Sequence, residues 1–354
     1  MTGIFDQENS GFFLYLHMVS VIVAAYNTRG FISDALDSVF AQTYSDFQIV
    51  VVDDASNDGT SEILTSYHDS RLIVLRNETR SGAAFSRNRA IRESSGAYVA
   101  ILDADDFWAS DKLEEQVNFL NKRPLAAGVG TYVYETDQNG KREKAVRFPI
   151  YPGQIRCATF FRCPLVHSSV MMRRSFLMEK DLSYDESFPG SHDYELWSRA
   201  VFAGNFHIYP RYLTYYRRSP GQISVDPSGF QRDNAVRVYR QLLQMLGYRP
   251  TEEEMDCHLR LVGIAVEPEA TNEKCKGIIE WCVDLYYRNA EKNVFRSYLF
   301  GNEILLRFLK YCSVNSIGVF KTLRLMLCLH WRLRYLFFPY LQLFQRLSIN
   351  IKDV

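Results

Sequence analysis

The chain has 354 residues, of which 47% are hydrophobic and 23% charged, and its formal net charge is +0. These values are typical of a globular protein with a sizeable core, in two domains or in one domain with an extension. The neutral balance gives no support for a nucleic-acid partner, and we expect none. The seven cysteines never occur as C-x-x-C, which argues against zinc knuckles and a dense disulfide framework and suits a cytoplasmic location.

The N-terminus shows no basic stretch followed by an apolar segment and a cleavage site, so no secretory signal is predicted. Met18 directly precedes the first predicted strand. We therefore expect residues 1–17 to be a disordered leader, unless Met18 rather than Met1 is the true start.

Three apolar, β-branched runs predict strands that are buried on both faces. They are VSVIVAAYN at Val19–Asn27, FQIVVVDDASNDGT at Phe47–Thr60 and GAYVAILDADDFW at Gly96–Trp108. The first ends at Tyr26, the second at Asp54, and the third at Asp103 and Asp105. Because the carboxyl ends of parallel strands line the ligand crevice of an open sheet, these side chains should gather at one edge. The pattern indicates a site for a nucleotide and a divalent metal.

Helical periodicity fills the intervals between these runs. The predicted order is a helix at Phe31–Phe40, a strand at Phe47–Val52, a helix from Thr60, a strand at Arg71–Leu75, a helix from Gly82 to Glu93 and a strand at Tyr98–Leu102. Gly96 is expected to close the third helix as its C′ glycine. Alternation of this kind predicts an α/β fold with a parallel sheet and right-handed crossovers.

The pattern loosens after Trp108. Further strands are predicted at Thr131–Thr136, Ser168–Met172 and around Phe206–Arg217, and helices at His192–Ala203 and Phe230–Leu246. We place a domain boundary near residue 228 and expect residues 229–354 to be mainly helical.

The carboxylates of Asp103, Asp105 and Asp106 would repel each other unless a cation neutralises them. Hard oxygen ligands in so small a number suit Mg²⁺ or Mn²⁺ that is shared with substrate phosphates. The alternative is a solvated turn with helix-capping aspartates. Asp54 can accept hydrogen bonds from a base or a ribose, and Tyr26 can pack against the base, although turn chemistry explains each residue alone.

Two helices carry further candidates. Arg87 can neutralise a diphosphate, or it can belong to an exposed ion-pairing face. Asp193 can serve as a general base, or as a first-turn acid stabilised by the helix dipole. The basic loop Tyr215–Ser224 either covers phosphates or is a plain surface loop.

The chain has no G-x-G-x-x-G after the first strand, no phosphate-binding P-loop and no H-E-x-x-H. Dinucleotide oxidoreductases, P-loop NTPases and zincin proteases therefore lose support.

Six segments in order resemble the family 2 inverting glycosyltransferases of the GT-A fold that act in bacterial polysaccharide synthesis. They are VSVIVAAYN, QTYSDFQIVVVDDASNDGT, GAAFSRNRAI, GAYVAILDADD, HDYELWSR and YYRRSPGQIS, between Met18 and Ser224. The resemblance implies a Rossmann-like GT-A domain over residues 18–228. It also implies a nucleotide-diphosphate-sugar donor, most often UDP-linked, a bound Mn²⁺ or Mg²⁺, and transfer of a hexose to a glycan or lipid-linked saccharide.

The resemblance also implies roles for individual residues. Nucleotide contacts fall to Ala24, Tyr26, Asn27, Asp54, Arg87, Asp103 and Arg217. Asp103 and Asp105 would form the metal-binding DXD motif, and Asp193 would be the base that deprotonates the acceptor hydroxyl. A single displacement would then convert a UDP-α-sugar into a β-linkage. The family commonly has Glu-Asp at the base motif, whereas this chain reads His192-Asp193, which bears on how Asp193 is tuned and which acceptor fits.

The C-terminal segment from Glu291 to Val354 contains ten Lys or Arg against three Asp or Glu, and apolar clusters are interleaved with these bases. Such a tail either lies on an anionic membrane surface beside a lipid-linked acceptor or packs on the catalytic domain. The competing functions are a non-catalytic nucleotide-sugar-binding protein, a nucleotidylyltransferase, and a transferase that uses a dTDP- or GDP-sugar.

Overall fold

The computed structural model describes residues 17–218, 230–265, 272–315 and 317. These residues form two compact units, the first from residues 17–155 and 163–235 and the second from residues 156–162 and 236–317. Residues 1–16 of the predicted leader lie outside the described residues, as does the predicted boundary near residue 228.

The first unit is built on one mixed sheet. Its strands are β1 (Val19–Ala25), β2 (Phe47–Asp53), β3 (Leu72–Arg76), β4 (Tyr98–Asp103), β5 (Phe107–Trp108), β6 (Ala126–Thr136), β7 (Arg142–Val146), β8 (Met171–Arg173) and β9 (Asn205–Arg217). They are arranged in the order β3-β2-β1-β4-β8-β6-β9-β5, with β7 paired to β6. The predicted parallel sheet is confirmed for β3, β2, β1 and β4, and β8 adds to β4 in the antiparallel sense.

Helices connect these strands. They are α1 (Ile32–Phe40), α2 (Thr60–Ser66), α3 (Ala83–Arg92), α4 (Lys112–Asn121), α5 (Pro152–Thr159), α6 (Arg174–Glu179) and α7 (His192–Ala203), and a 3₁₀ turn covers His167–Ser169. Helix α1 shows why they pack: Ile32, Ala35, Leu36 and Val39 recur at helical spacing, and all four are buried.

Burial on both faces fixes the central strands. Along β1, Val21 and Val23 belong to one hydrophobic cluster, whereas Ile22 belongs to a second cluster on the opposite face. Each such side chain contributes about 1.5–3 kcal/mol when it is fully buried. The strands are therefore held firmly, and so are the polar residues that follow their carboxyl ends.

The prediction for Gly96 was wrong. Helix α3 ends at Arg92 with Glu93 as its C-cap, so Gly96 lies beyond the C′ position. A Cβ atom on Gly96 would lie only 2.6 Å from the carbonyl oxygen of Met18 and 2.7 Å from the backbone nitrogen of Ser20. Glycine is needed there because the backbones of two chain segments approach each other closely.

The second unit is helical, as the sequence predicted for the C-terminal region. Its helices are the later part of α8 (Phe230–Met245), α9 (Glu252–Val262), α10 (Asn272–Lys292) and α11 (Ser297–Val314). Its core brings together the rings of Phe160, His258, Trp281 and Phe300. No helix in the part of the chain that the structure describes is long and apolar enough to cross a membrane. Most of the basic tail, residues 316 and 318–354, lies outside the described residues.

Candidate active site

A cavity of about 670 Å³ opens at the carboxyl ends of β1, β2 and β4. This volume is in the range of small-molecule sites. Eight of the nine residues predicted for the site line it: Ala24, Tyr26, Asn27, Asp54, Arg87, Asp103, Asp105 and Asp193. The fold therefore brings together side chains that are as much as 169 positions apart in sequence, and the parallel topology accounts for those that follow the strand ends.

The acidic run Asp103–Asp106 at the end of β4 has some carboxylates in the cavity and one that is buried. Its backbone turns, with the N–H of Asp106 donating to the carbonyl of Asp103 over 3.0 Å. Asp103 and Asp105 line the cavity, whereas Asp106 is buried and accepts hydrogen bonds from the hydroxyl of Ser168 (2.5 Å) and the N–H of Arg217 (2.8 Å). Burial, and then the charges of Asp105 and Asp103, raise the pKa of Asp106 well above its ordinary value. Asp106 thus anchors the turn that presents the other two carboxylates.

Arg87 connects the acidic run to helix α7. It projects from α3 and is buried, with one guanidinium nitrogen 2.5 Å from Asp103 Oδ1 and another 2.5 Å from His192 Nε2. An arginine can only donate, so Nε2 of His192 is the acceptor and its ring proton sits on Nδ1. Burial, and then the charge of Arg87, hold the pKa of His192 well below its ordinary value. His192 is therefore a neutral support for Arg87.

The charge of Arg87 also sets the protonation of its neighbours. Burial opposes ionisation of Asp103, but the charge and hydrogen bond of Arg87, together with contributions from His167 and His192, outweigh it, and the pKa of Asp103 lies below its ordinary value. The pKa of Asp193, in contrast, is raised, chiefly by burial and further by the charge of Asp103, against opposing contributions from the Tyr194 N–H and Arg87. Two carboxylates in one cavity thus have pKa values shifted in opposite directions, which is typical of sites that divide acid–base roles.

Asp193 is the second residue of α7 and borders the cavity. Its Oδ1 accepts a hydrogen bond of 2.7 Å from the N–H of Tyr194. Asp193 therefore lies in the first turn of the helix and also borders the cavity, and the first position does not exclude the second. A carboxylate with a raised pKa is a stronger base than an ordinary aspartate, so Asp193 is chemically suited to take a proton.

Asp54 is more heavily engaged than the sequence suggested. One carboxylate oxygen accepts from Asn77 Nδ2 (2.6 Å) and the N–H of Ser81 (2.8 Å), and the other accepts from the N–H of Gly82 (2.8 Å). A carboxylate has about four acceptor positions, so these bonds leave room for one more. Asp54 therefore holds the loop that leads into α3, in addition to any contact with a ligand.

The structure does not bring Arg217 to the cavity wall. Its guanidinium is buried between the rings of Phe31 and Phe107 and pairs with Asp34 over 2.7 Å. It also donates to the carbonyl of Gln138 (2.7 Å). The contact through Asp106 places Arg217 behind the acidic run rather than in front of it. Residues 219–224 of the predicted basic loop lie outside the described residues.

The cavity also contains residues that the sequence reasoning missed. They include Phe31, Arg80, Cys163 and His167. Burial, and then the charge of Arg87, lower the pKa of His167 to about 3, and its Nε2 lies 3.1 Å from the hydroxyl of Tyr184. His167 directly precedes the strand predicted from Ser168. Its place as a polar residue beside a strand was the only sequence signal that it could line the cavity.

The carboxylates of the acidic run are chemically suited to bind a divalent cation. Asp103 and Asp105 offer hard oxygen ligands on the cavity side, close to the cationic Arg87. Among the residues that the structure describes, no group of three or more His, Cys, Asp or Glu is arranged to hold a metal ion. Any cation here would therefore need ligands from elsewhere, and Mg²⁺ commonly completes its shell with water and substrate phosphates.

Comparison with known proteins identifies the family of this chain. The family described as glycosyl transferase family 2 matches residues 20–181. A curated relative from Escherichia coli, the UDP-Glc:alpha-D-GlcNAc-diphosphoundecaprenol beta-1,3-glucosyltransferase WfaP, is 30% identical over 218 residues, covering 60% of this chain and 81% of WfaP. The putative teichuronic acid biosynthesis glycosyltransferase TuaG of Bacillus subtilis is 40% identical over 134 residues, covering 37% of this chain and 53% of TuaG. The chain therefore belongs to glycosyl transferase family 2, and it is a transferase.

A solved structure supports the fold. The chain aligns with TarS 1-349 of S. aureus in complex with UDP-GlcNAc at a TM-score of 0.57 and 20% identity, covering 84% of this chain and 90% of that one. At this level of identity the likeness shows the fold alone, which is the GT-A arrangement that the sequence predicted.

Proposed function

We propose that this protein transfers a sugar from a UDP-sugar to a hydroxyl of a lipid-linked saccharide, with inversion, in the synthesis of a bacterial cell-surface polysaccharide. The observation that carries the proposal is the cavity itself, which is lined by Tyr26 and Asp54 and by the carboxylates of Asp103, Asp105 and Asp193. The name of WfaP, which specifies a UDP-glucose donor, a diphosphoundecaprenol-linked acceptor and a β-linkage, supports the choice of substrates.

In this mechanism Ala24, Tyr26, Asn27 and Asp54 bind the nucleoside. Mn²⁺ or Mg²⁺ would be held by Asp103 and Asp105 and, when bound, would offset charge that grows on the departing diphosphate. Arg87 holds Asp103 in place and adds positive charge to the same wall. Arg217 supports the acidic run from behind through its backbone bond to Asp106.

Asp193 acts as the general base. Its carboxylate accepts the proton of the acceptor hydroxyl while that oxygen attacks the anomeric carbon and the bond to the diphosphate breaks. One displacement inverts the configuration, so a UDP-α-sugar gives a β-linked product. A peripheral position at the inner membrane face would bring the enzyme to a lipid-linked acceptor, and the basic tail is the segment we propose for that contact.

The test is a transfer assay with a panel of UDP-sugars and a saccharide linked to a polyprenyl diphosphate, with the anomeric configuration of the product read by NMR. We expect a β-linked product. Asp193→Asn should reduce the transfer rate by about 10²- to 10⁴-fold while UDP-sugar binding persists. An α-linked product would contradict the single-displacement mechanism, and transfer from dTDP- or GDP-sugars alone would replace the proposed donor.

A further inference from the structure

Arg80 covers the aromatic ring of Tyr26 inside the cavity. Its guanidinium carbon lies 4.1 Å from the ring centroid, and both residues line the cavity. The arginine is exposed, and within the described part of the chain no carboxylate forms an ion pair with it. A cation stacked on an aromatic face at this distance is a favourable contact.

The carboxylate of Asp54 holds the loop that carries Arg80 in place. The N–H groups of the next two residues, Ser81 and Gly82, both donate to the carboxylate of Asp54 over 2.8 Å. Asn77, three residues before Arg80, donates to the same carboxylate. The backbone on both sides of Arg80 is thus fixed, and the long side chain is the part that can move.

The face of Tyr26 that Arg80 covers cannot stack on a base while Arg80 remains where it is. A flat base between the ring and the guanidinium would need two contact distances of about 3.5 Å each, roughly 7 Å in all. The observed separation is 4.1 Å. A base that stacks on this face of Tyr26 must therefore take the place of the guanidinium.

We infer that Arg80 is a specificity residue that an entering nucleotide displaces from Tyr26 and whose freed charge then attracts the diphosphate. This inference rests on the proposed nucleotide site. Displacement of Arg80 from Tyr26 weakens the binding of every ligand that places a base on this ring. Only a ligand with phosphates regains favourable energy from the freed cation, so Arg80 favours nucleoside diphosphates over uncharged nucleosides.

The inference makes the effect of Arg80→Ala opposite in sign for two ligands. Uridine should bind the variant about two- to fivefold more tightly, because a competing cation–π contact has been removed. UDP should bind it about two- to fivefold more weakly on balance, because the lost charge-assisted contact between guanidinium and diphosphate is stronger than the cation–π contact whose removal favours the base. Arg80→Lys, which keeps the charge on a side chain that stacks less well, should keep its affinity for UDP within about twofold of the wild type.

The experiment measures dissociation constants for UDP by calorimetry and for uridine by ligand-observed NMR, at one Mg²⁺ concentration and one ionic strength. The matched control is Arg92→Ala, an exposed arginine at the end of α3, the helix that follows the Arg80 loop, and it does not line the cavity. It should leave both constants unchanged. Higher salt should reduce the effect of Arg80→Ala on UDP and leave the effect on uridine, since only the first is an interaction between charges.

A change in the same direction for both ligands, or no change for either, would overturn the role of Arg80 and leave the nucleotide site standing. A folded wild type that binds neither ligand would overturn the nucleotide site and this inference with it. Thermal denaturation of each variant distinguishes these results from a loss of folding.

Discussion

Arg87 and Asp103 form a short, largely buried ion pair, in which a guanidinium nitrogen lies 2.5 Å from Oδ1 and the side chains are 7% and 24% exposed. The pair joins helix α3 to the carboxyl end of β4. Because His192 occupies the other side of the guanidinium, Asp103 is the only carboxylate among the described residues that forms an ion pair with Arg87. The position of the Asp103 carboxylate thus depends on one arginine.

Replacement of that arginine should destabilise the fold. Arg87→Met leaves Asp103 charged and poorly solvated, which should lower the free energy of unfolding by about 2–3 kcal/mol, since Asp103 is only partly exposed. Arg87→Met combined with Asp103→Asn should cost less than the sum of the two single changes. Urea denaturation measures this, with Arg92→Met as the exposed control on the same helix. Strict additivity would show that the ion pair contributes nothing.

Ser168 should be needed for the shape of the acidic run. Its hydroxyl accepts from the N–H of Asp103 (3.1 Å) and donates to Asp106 (2.5 Å). Ser168→Ala should reduce stability by about 1–3 kcal/mol, because it leaves buried polar groups without partners. It should also weaken UDP binding in the presence of Mg²⁺. The neighbouring Ser169→Ala is the matched control, because that hydroxyl is equally buried but donates to the carbonyl of Val166. Equal effects of both changes on UDP binding would contradict this role of Ser168.

The sequence predicted the location of the site better than its internal contacts. Strand ends in a parallel sheet converge by topology alone, which is why Tyr26, Asp54, Asp103 and Asp105 were found from local patterns. The contact between Arg87 and His192 joins residues 105 positions apart, and no local pattern carries such a pairing. The family resemblance implies a nucleotide contact for Arg217, whereas its guanidinium packs against the rings of Phe31 and Phe107.

Gly96 also shows that local sequence patterns do not reveal contacts between distant segments. Its place after a helix suggested a cap, but the requirement comes from the approach of another segment, which only tertiary structure reveals. Gly96→Ala should lower the free energy of unfolding by about 1–3 kcal/mol, because backbone atoms block the new methyl group. Gly30→Ala, where nothing lies within 4 Å of an added Cβ, should have a much smaller effect. Denaturation curves that show equal losses for the two variants would contradict the close approach.

The transfer rate should depend on pH through Asp193. Burial raises its pKa above the ordinary value, so the carboxylate takes up a proton at a higher pH than an ordinary aspartate does. Only the ionised form can act as a base, and kcat/KM should therefore fall about tenfold per pH unit below the raised pKa. A profile of kcat/KM against pH measures this, with UDP binding over the same range as the control for the nucleotide site. A rate that stays constant down to about pH 4, near the pKa of an ordinary aspartate, would exclude Asp193 as the base.

We propose that this cavity binds a nucleoside diphosphate together with a divalent cation. Calorimetric titration of UDP with and without Mn²⁺ tests it most directly, using the wild type, Asp105→Ala and the control Asp69→Ala, whose carboxylate pairs with Arg71 outside the cavity. We predict that Mn²⁺ strengthens UDP binding to the wild type and to Asp69→Ala, and that Asp105→Ala loses this gain. Binding of UDP by the wild type that is the same with and without Mn²⁺, or a gain that Asp105→Ala retains, would contradict the account.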